Sequence, residues 1–163
     1  MPRPPLRIVI DTNTLLRGLI AGSSAAAKVR RAAEQRIFIP LLSKPVLDEY
    51  RAVLSDPELI KRFPQITPAL VEITIRRLRF IGDYIRLPSV EFEYNRDRRD
   101  QKFIELAIYL KATHILSFDK DLLSLPHSQT DAGKRFRQRL PGLSVMDAGE
   151  FLKSYDAMLS IEQ

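Results

Sequence analysis

Residues 7–16 read RIVIDTNTLL, and residues 114–121 read HILSFDKD. The first opens with RIVI (7–10), a run that is short, β-branched and sharply ended, which is the pattern of a buried strand. Asp11 follows it directly, just as Asp119 follows the apolar run HILSF (114–118). An aspartate at such a place has two readings. It can cap the next helix with its side-chain oxygen, or it can be one arm of a site at a strand end. In open parallel α/β sheets, ligands bind beyond the carboxyl ends of the strands. Two strands that each end in aspartate can therefore bring those acids together.

The chain outward from these stretches alternates short apolar runs with helical ones. SSAAAKVRRAAEQ (23–35) opens on serine caps, and IFIP (37–40) reads as a second strand. The spacing predicts a helix over 43–54, with Ser43 as cap and Pro45 in its first turn. It predicts a long helix over 67–85, opened by Thr67 and Pro68, and another over 100–112. A third strand is expected at 113–118, a fourth at 143–146, and a closing helix over 147–159. Strands alternating with helices imply a parallel sheet covered on both faces. The polar, basic stretch around 126–142, bounded by Pro126 and Pro141, reads as a loop excursion with room for a short helix, inside one domain spanning 1–163.

The totals narrow the chemistry. With 163 residues, 45% of them hydrophobic, the chain can bury a core without staples. The absence of cysteine excludes disulfides, thiol nucleophiles and Cys-ligated zinc. His114 and His127 are the only histidines, and His114 reads as a packed residue rather than a ligand. No apolar run approaches the ~20 residues of a membrane span, and the N-terminal apolar stretch is too short for a signal peptide. The expectation is a soluble, cytoplasmic protein that makes no use of a membrane. The net charge of +6 and pI near 9.8 suit a polyanionic partner, of which nucleic acid is the commonest.

The acids worth following are those placed away from water. Asp100 shares a helical face with Phe103 and Ala107, whereas Glu105 points away from it. On the helix from Ser43, Glu49 falls at the border of the apolar stripe and Asp48 nearly opposite. Each has a plainer reading: Asp100 as an N-cap, and Glu49 as a partner of Arg51 or Lys44. Clustered carboxylates repel one another, and a hard divalent cation removes that cost. Asp11, Glu49, Asp100 and Asp119 together predict a Mg²⁺ or Mn²⁺ site. An acidic metal pocket in a basic protein points to phosphodiester hydrolysis.

Four segments carry a resemblance to a known family: VIDTNTLL (9–16), PVLDEYRAVL (45–54), RDRRDQKFIELA (96–107) and ILSFDKDLLSL (115–125). In order and spacing they resemble the PIN domain nucleases, in particular the VapC-like toxin components of bacterial and archaeal toxin–antitoxin pairs. The resemblance implies a three-layer α/β/α sandwich with a central, mainly parallel sheet of four to five strands, and a Mg²⁺- or Mn²⁺-dependent ribonuclease. It makes Asp11, Glu49, Asp100 and Asp119 the catalytic, metal-holding acids. Asn13 and Ser117 match supporting polar positions, and Asp97 and Asp121 match secondary acids. It also implies an RNA substrate, a small antitoxin partner and a homodimer.

Two features depart from the family pattern. Arg98 and Arg99 stand between Asp97 and Asp100, where proline or aspartate is more usual; they read either as phosphate-binding cations or as partners of Asp97 that make it structural. The 127–139 stretch is longer than expected, and its Lys134, Arg135, Arg137 and Arg139 are candidates for holding an RNA backbone beside Arg98 and Arg99. Two rival readings stay open. Asp-Thr-Asn-Thr-Leu (11–15) also resembles the nucleophile loop of haloacid dehalogenase-like phosphatases, although Asn13 cannot serve as that family's general acid. Alternatively, the domain is a catalytically silent nucleic-acid-binding module whose acids are only caps.

Overall fold

A computed structural model describes residues 3–161. The elements run β1 (Arg7–Ile10), α1 (Thr12–Ile20), α2 (Ala25–Glu34), β2 (Ile39–Ser43), α3 (Lys44–Leu54), α4 (Pro57–Arg62), α5 (Pro68–Ile81) and β3 (Asp83–Ile85). Then follow α6 (Gln101–Tyr109), β4 (His114–Leu116), α7 (Lys120–Ser124), α8 (Asp131–Arg139), β5 (Ser144–Met146) and α9 (Ala148–Ile161). The strands form one sheet in the order β3-β2-β1-β4-β5, every neighbouring pair parallel. Helices α3 and α6 pack on β1 and β2, while α2 packs against α1, α5 and α9. This is the α/β/α sandwich with a parallel sheet that the alternation implied.

Local chemistry sets the helix starts. The Ser43 hydroxyl accepts from the Val46 N–H at 3.3 Å, with a proline in the first turn of α3. Thr67 accepts from the Leu70 N–H at 3.1 Å and opens α5 in the same manner. Each cap satisfies one backbone donor that the first helical turn leaves over. Ile8, Val9, Ile115 and Leu116 are fully buried. Strands buried on both faces read as unbroken apolar runs, which is why β1 and β4 stood out.

The structure corrects the sequence reading at two places. The helix expected over 67–85 stops at Ile81, and 83–85 becomes the edge strand β3, with Tyr84 opposite Leu42. Phe80, Ile81, Tyr84 and Ile85 keep a four-residue spacing, so periodicity alone carries the helix too far. Gly82 turns to an extended conformation, and a Cβ there would run into the Pro40 carbonyl oxygen and lie 2.8 Å from that of Leu78. The strand expected at 37–40 lies at Ile39–Ser43, two residues later. Within 126–142 the room for a short helix is taken by α8, whose Phe136 packs edge-on against Phe92 with ring centroids 6.3 Å apart.

Candidate acidic metal centre

The chain runs outward from β1 to β2 and β3, then crosses back to β4 and β5. The reversal lies between β1 and β4, the crevice where α/β sheets bind ligands. Asp11 and Ser117 leave the carboxyl ends of these two strands. The Asp11 N–H donates to the Leu116 carbonyl at 3.0 Å, and the Ser117 N–H to that of Met146 at 3.0 Å. The sheet ladder itself thus holds the two loops together.

Asp11 caps α1 and lies at the strand end. Its Oδ1 accepts from the Thr14 N–H at 2.8 Å and caps α1, and its Oδ2 accepts from the Ser117 hydroxyl. Ser117 in turn accepts from the Asp119 N–H at 2.9 Å, so one buried hydroxyl links the two strand-end acids. Burial pushes the Asp11 carboxyl above the usual range, against the pull of its hydrogen bonds to Ser117 and Thr14. Asp119 caps α7 by accepting from the Asp121 N–H at 2.7 Å.

A cavity of about 130 Å³ opens at this crevice. Five carboxylates line it, those of Asp11, Glu49, Asp97, Asp100 and Asp119, together with Thr12, Asn13 and Arg99. All four acids singled out in the sequence reach the same space. Asp97 joins them because residues 98–100 form a 3-10 turn, which it caps by accepting from the Arg99 N–H at 2.9 Å. Asp97, Asp100 and Asp119 each offer an oxygen such that all three lie within 4.8 Å of one another.

Asp100 begins α6 yet makes no side-chain cap bond. Its Oδ2 is buried without a hydrogen-bond partner among the described residues. Desolvation, with the nearby charges of Asp97, Asp119, Asp11 and Glu49 adding to it, raises its pKa to about 7. An all-oxygen donor set with one buried, unsatisfied oxygen and mutual repulsion fits a hard divalent cation.

The other candidates fall out differently. Glu49 is not paired with Arg51 or Lys44, which bond Glu72 and Asp48 instead. Its Oε1 accepts from Lys102 Nζ at 2.8 Å, and its Oε2 from the Thr12 hydroxyl. Asp121 turns away and pairs with Arg96 at 3.0 Å, lining a neighbouring cavity. Arg99 lines the acidic cavity and pairs with Asp97 at 3.5 Å, whereas Arg98 is exposed and does not line it. None of the α8 cations lines it either. Arg135 donates to the Glu93 carbonyl at 3.0 Å, Arg137 to those of Pro126 and Ser128, and Lys134 and Arg139 are exposed. His114 packs against the Phe151 ring, and burial lowers its pKa.

The sequence reading passed over Lys102 and Thr12. Lys102 sits two residues after Asp100, and its signal was only a cation close to a candidate acid. Thr12 lay in plain view between Asp11 and Asn13.

Comparison with known proteins agrees with this geometry. The chain is 26% identical to the uncharacterized protein MJ1680 of Methanocaldococcus jannaschii, with 98% of each chain covered. The sequence profile described as PIN domain matches residues 7–121, a span that runs from the start of β1 through Asp121 and takes in all five acids. Membership implies a metal-dependent nuclease, and the acid-lined crevice between β1 and β4 is where such a metal fits. The chain belongs to the PIN domain family.

Proposed function

We propose that the protein is a Mg²⁺- or Mn²⁺-dependent endoribonuclease acting as the toxin of a toxin–antitoxin pair. The buried Asp100 Oδ2, without a partner among the described residues and within a ring of four other carboxylates, is the observation that carries the metal reading. Asp11, Asp100 and Asp119, with Glu49 directly or through water, are the acids that would hold the ion, and Asp97 adds a further oxygen. The bound ion supplies Lewis acidity, activating water and stabilising charge on the phosphoryl oxygens.

The chain's own residues do the rest. Ser117 fixes the orientation of Asp11 and of the Asp119 backbone. Asn13 and Arg99 stand at the wall of the cavity, where a backbone phosphate would pass. The net positive charge draws RNA toward this acidic opening. The toxin assignment rests on the likeness of residues 9–16, 45–54, 96–107 and 115–125 to PIN-type toxins, and with it come a cytoplasmic setting, a homodimer and a small antitoxin.

The test is cleavage of single-stranded RNA by purified protein with Mg²⁺ or Mn²⁺. Activity is expected to vanish with EDTA and in Asp11→Ala and Asp100→Ala. Full cleavage by either variant would overturn the site. Growth arrest on expression, relieved by the product of a small neighbouring reading frame, tests the toxin role separately. Sedimentation tests the dimer.

A further inference from the structure

The carboxylate oxygens at the cavity divide into two groups. Asp11 has both oxygens engaged, by the Thr14 N–H and the Ser117 hydroxyl. Glu49 also has both engaged, by Lys102 and Thr12. Asp97 and Asp119 each give one oxygen to a backbone N–H, and Asp100 gives none to a helix cap. Each carboxylate oxygen has a second lone pair, so Asp11 keeps the capacity to bind an ion, and Asp97, Asp100 and Asp119 are the three acids whose ligand atoms converge.

Lys102 differs from the surface cations nearby. Lys44 and Asp48 form an exposed pair within one helix, with side chains 51% and 52% accessible. Lys102 instead reaches from α6 to α3, and its pair with Glu49 is 26% and 15% accessible. An ion pair withdrawn from solvent holds its geometry and is screened little by salt. It places a fixed positive charge on the Glu49 side of the carboxylate ring.

We propose that Lys102 is a built-in counter-ion that takes the place of a second metal ion, so that the crevice holds a single divalent cation and Glu49, held by Lys102, meets that ion only through water. This rests on the metal-dependent reading above. Lys102 is a positioning residue: it acts by holding Glu49, and its removal frees a carboxylate beside an already acidic crevice. Five carboxylates line that crevice against the one guanidinium of Arg99, more negative charge than a single divalent ion then neutralises, and without Lys102 a second ion is the available compensation.

The test counts Mn²⁺ bound per chain by calorimetry and by electron paramagnetic resonance, with thermal melts to verify folding. One ion is expected for the unaltered protein and for Lys102→Arg. Two are expected for Lys102→Met, or for Lys102→Gln should the methionine variant not fold. Adding Glu49→Gln to either should restore one. A single ion in the folded Lys102 variants overturns the proposal, including the case where nucleic-acid binding weakens instead, which would assign Lys102 to the substrate. Two ions in the unaltered protein overturn it as well. No Mn²⁺ binding by the unaltered protein would instead defeat the metal-dependent reading from which the proposal starts.

Discussion

The Asp100 carboxyl, held at about 7 by burial and by four neighbouring acids, makes the metal-free protein pH-sensitive. From the ordinary carboxylate range up to about 7, the folded chain keeps a proton that the unfolded chain has lost. Its stability therefore falls as pH rises through that window and levels off above it. Asp11 acts with the same sign, and His114, whose pKa is lowered, with the opposite one. The useful quantity is thus the difference between the unaltered protein and Asp100→Asn, read from thermal melts in EDTA at pH about 5 and about 8. The variant is expected to lose most of the decline. A second expectation concerns Ser117→Ala, which removes the hydroxyl linking Asp11 to Asp119. Loss of such an orienting group typically costs about 10–100-fold in metal affinity or activity, measurable by Mn²⁺ titration. At this scale the sequence was informative where an acid ended an apolar run, as at Asp11 and Asp119. It was poor where a turn or a neighbouring helix decided the outcome. The 3-10 turn brings Asp97 level with Asp100, and only the packing of α3 on α6 brings Lys102 to Glu49.

Among the elements, β3 shows how a helical pattern and a strand can share residues. The four-residue spacing from Phe80 to Ile85 suits a helix, yet pairing with β2 wins for 83–85. Gly82 makes the change of course possible, because only a residue without Cβ fits between the Pro40 and Leu78 carbonyls. Gly82→Ala is expected to destabilise by about 1–3 kcal/mol, the usual cost of forced overpacking. Urea unfolding should show a lower midpoint, with metal affinity of the folded fraction unchanged, since the residue enters β3 at the amino end of the sheet and the crevice lies beyond the carboxyl ends of β1 and β4. Helix α8 was legible only as room for a helix, since its sequence is dominated by charge and its single large apolar anchor is Phe136. Phe136→Ala removes the edge-on contact with Phe92 and should cost about 3–5 kcal/mol. If α8 serves only to close the fold, RNA cleavage per folded molecule will survive that change.

Across the whole molecule, a chain of net charge +6 carries five acids around one opening. Attraction for a polyanion and affinity for a cation are thus separable properties. Nucleic-acid binding should weaken steeply with added salt and persist in EDTA, as followed by fluorescence anisotropy. Metal binding should instead raise the melting temperature, by the equivalent of about 2.7 kcal/mol at a hundredfold excess over Kd. The alternation of strands and helices made the parallel sheet legible, and the caps of α3 and α5 fixed their starts. The strand order was not written in any local segment, and it decides how the crevice is assembled. Asp11 and Ser117 touch across 106 positions of sequence. A ribosome that has not yet delivered β4 holds a chain with four of the five acids and nothing to seat them against. Whatever nucleic acid the finished protein cuts, a chain still lacking β4 has no assembled crevice with which to cut it.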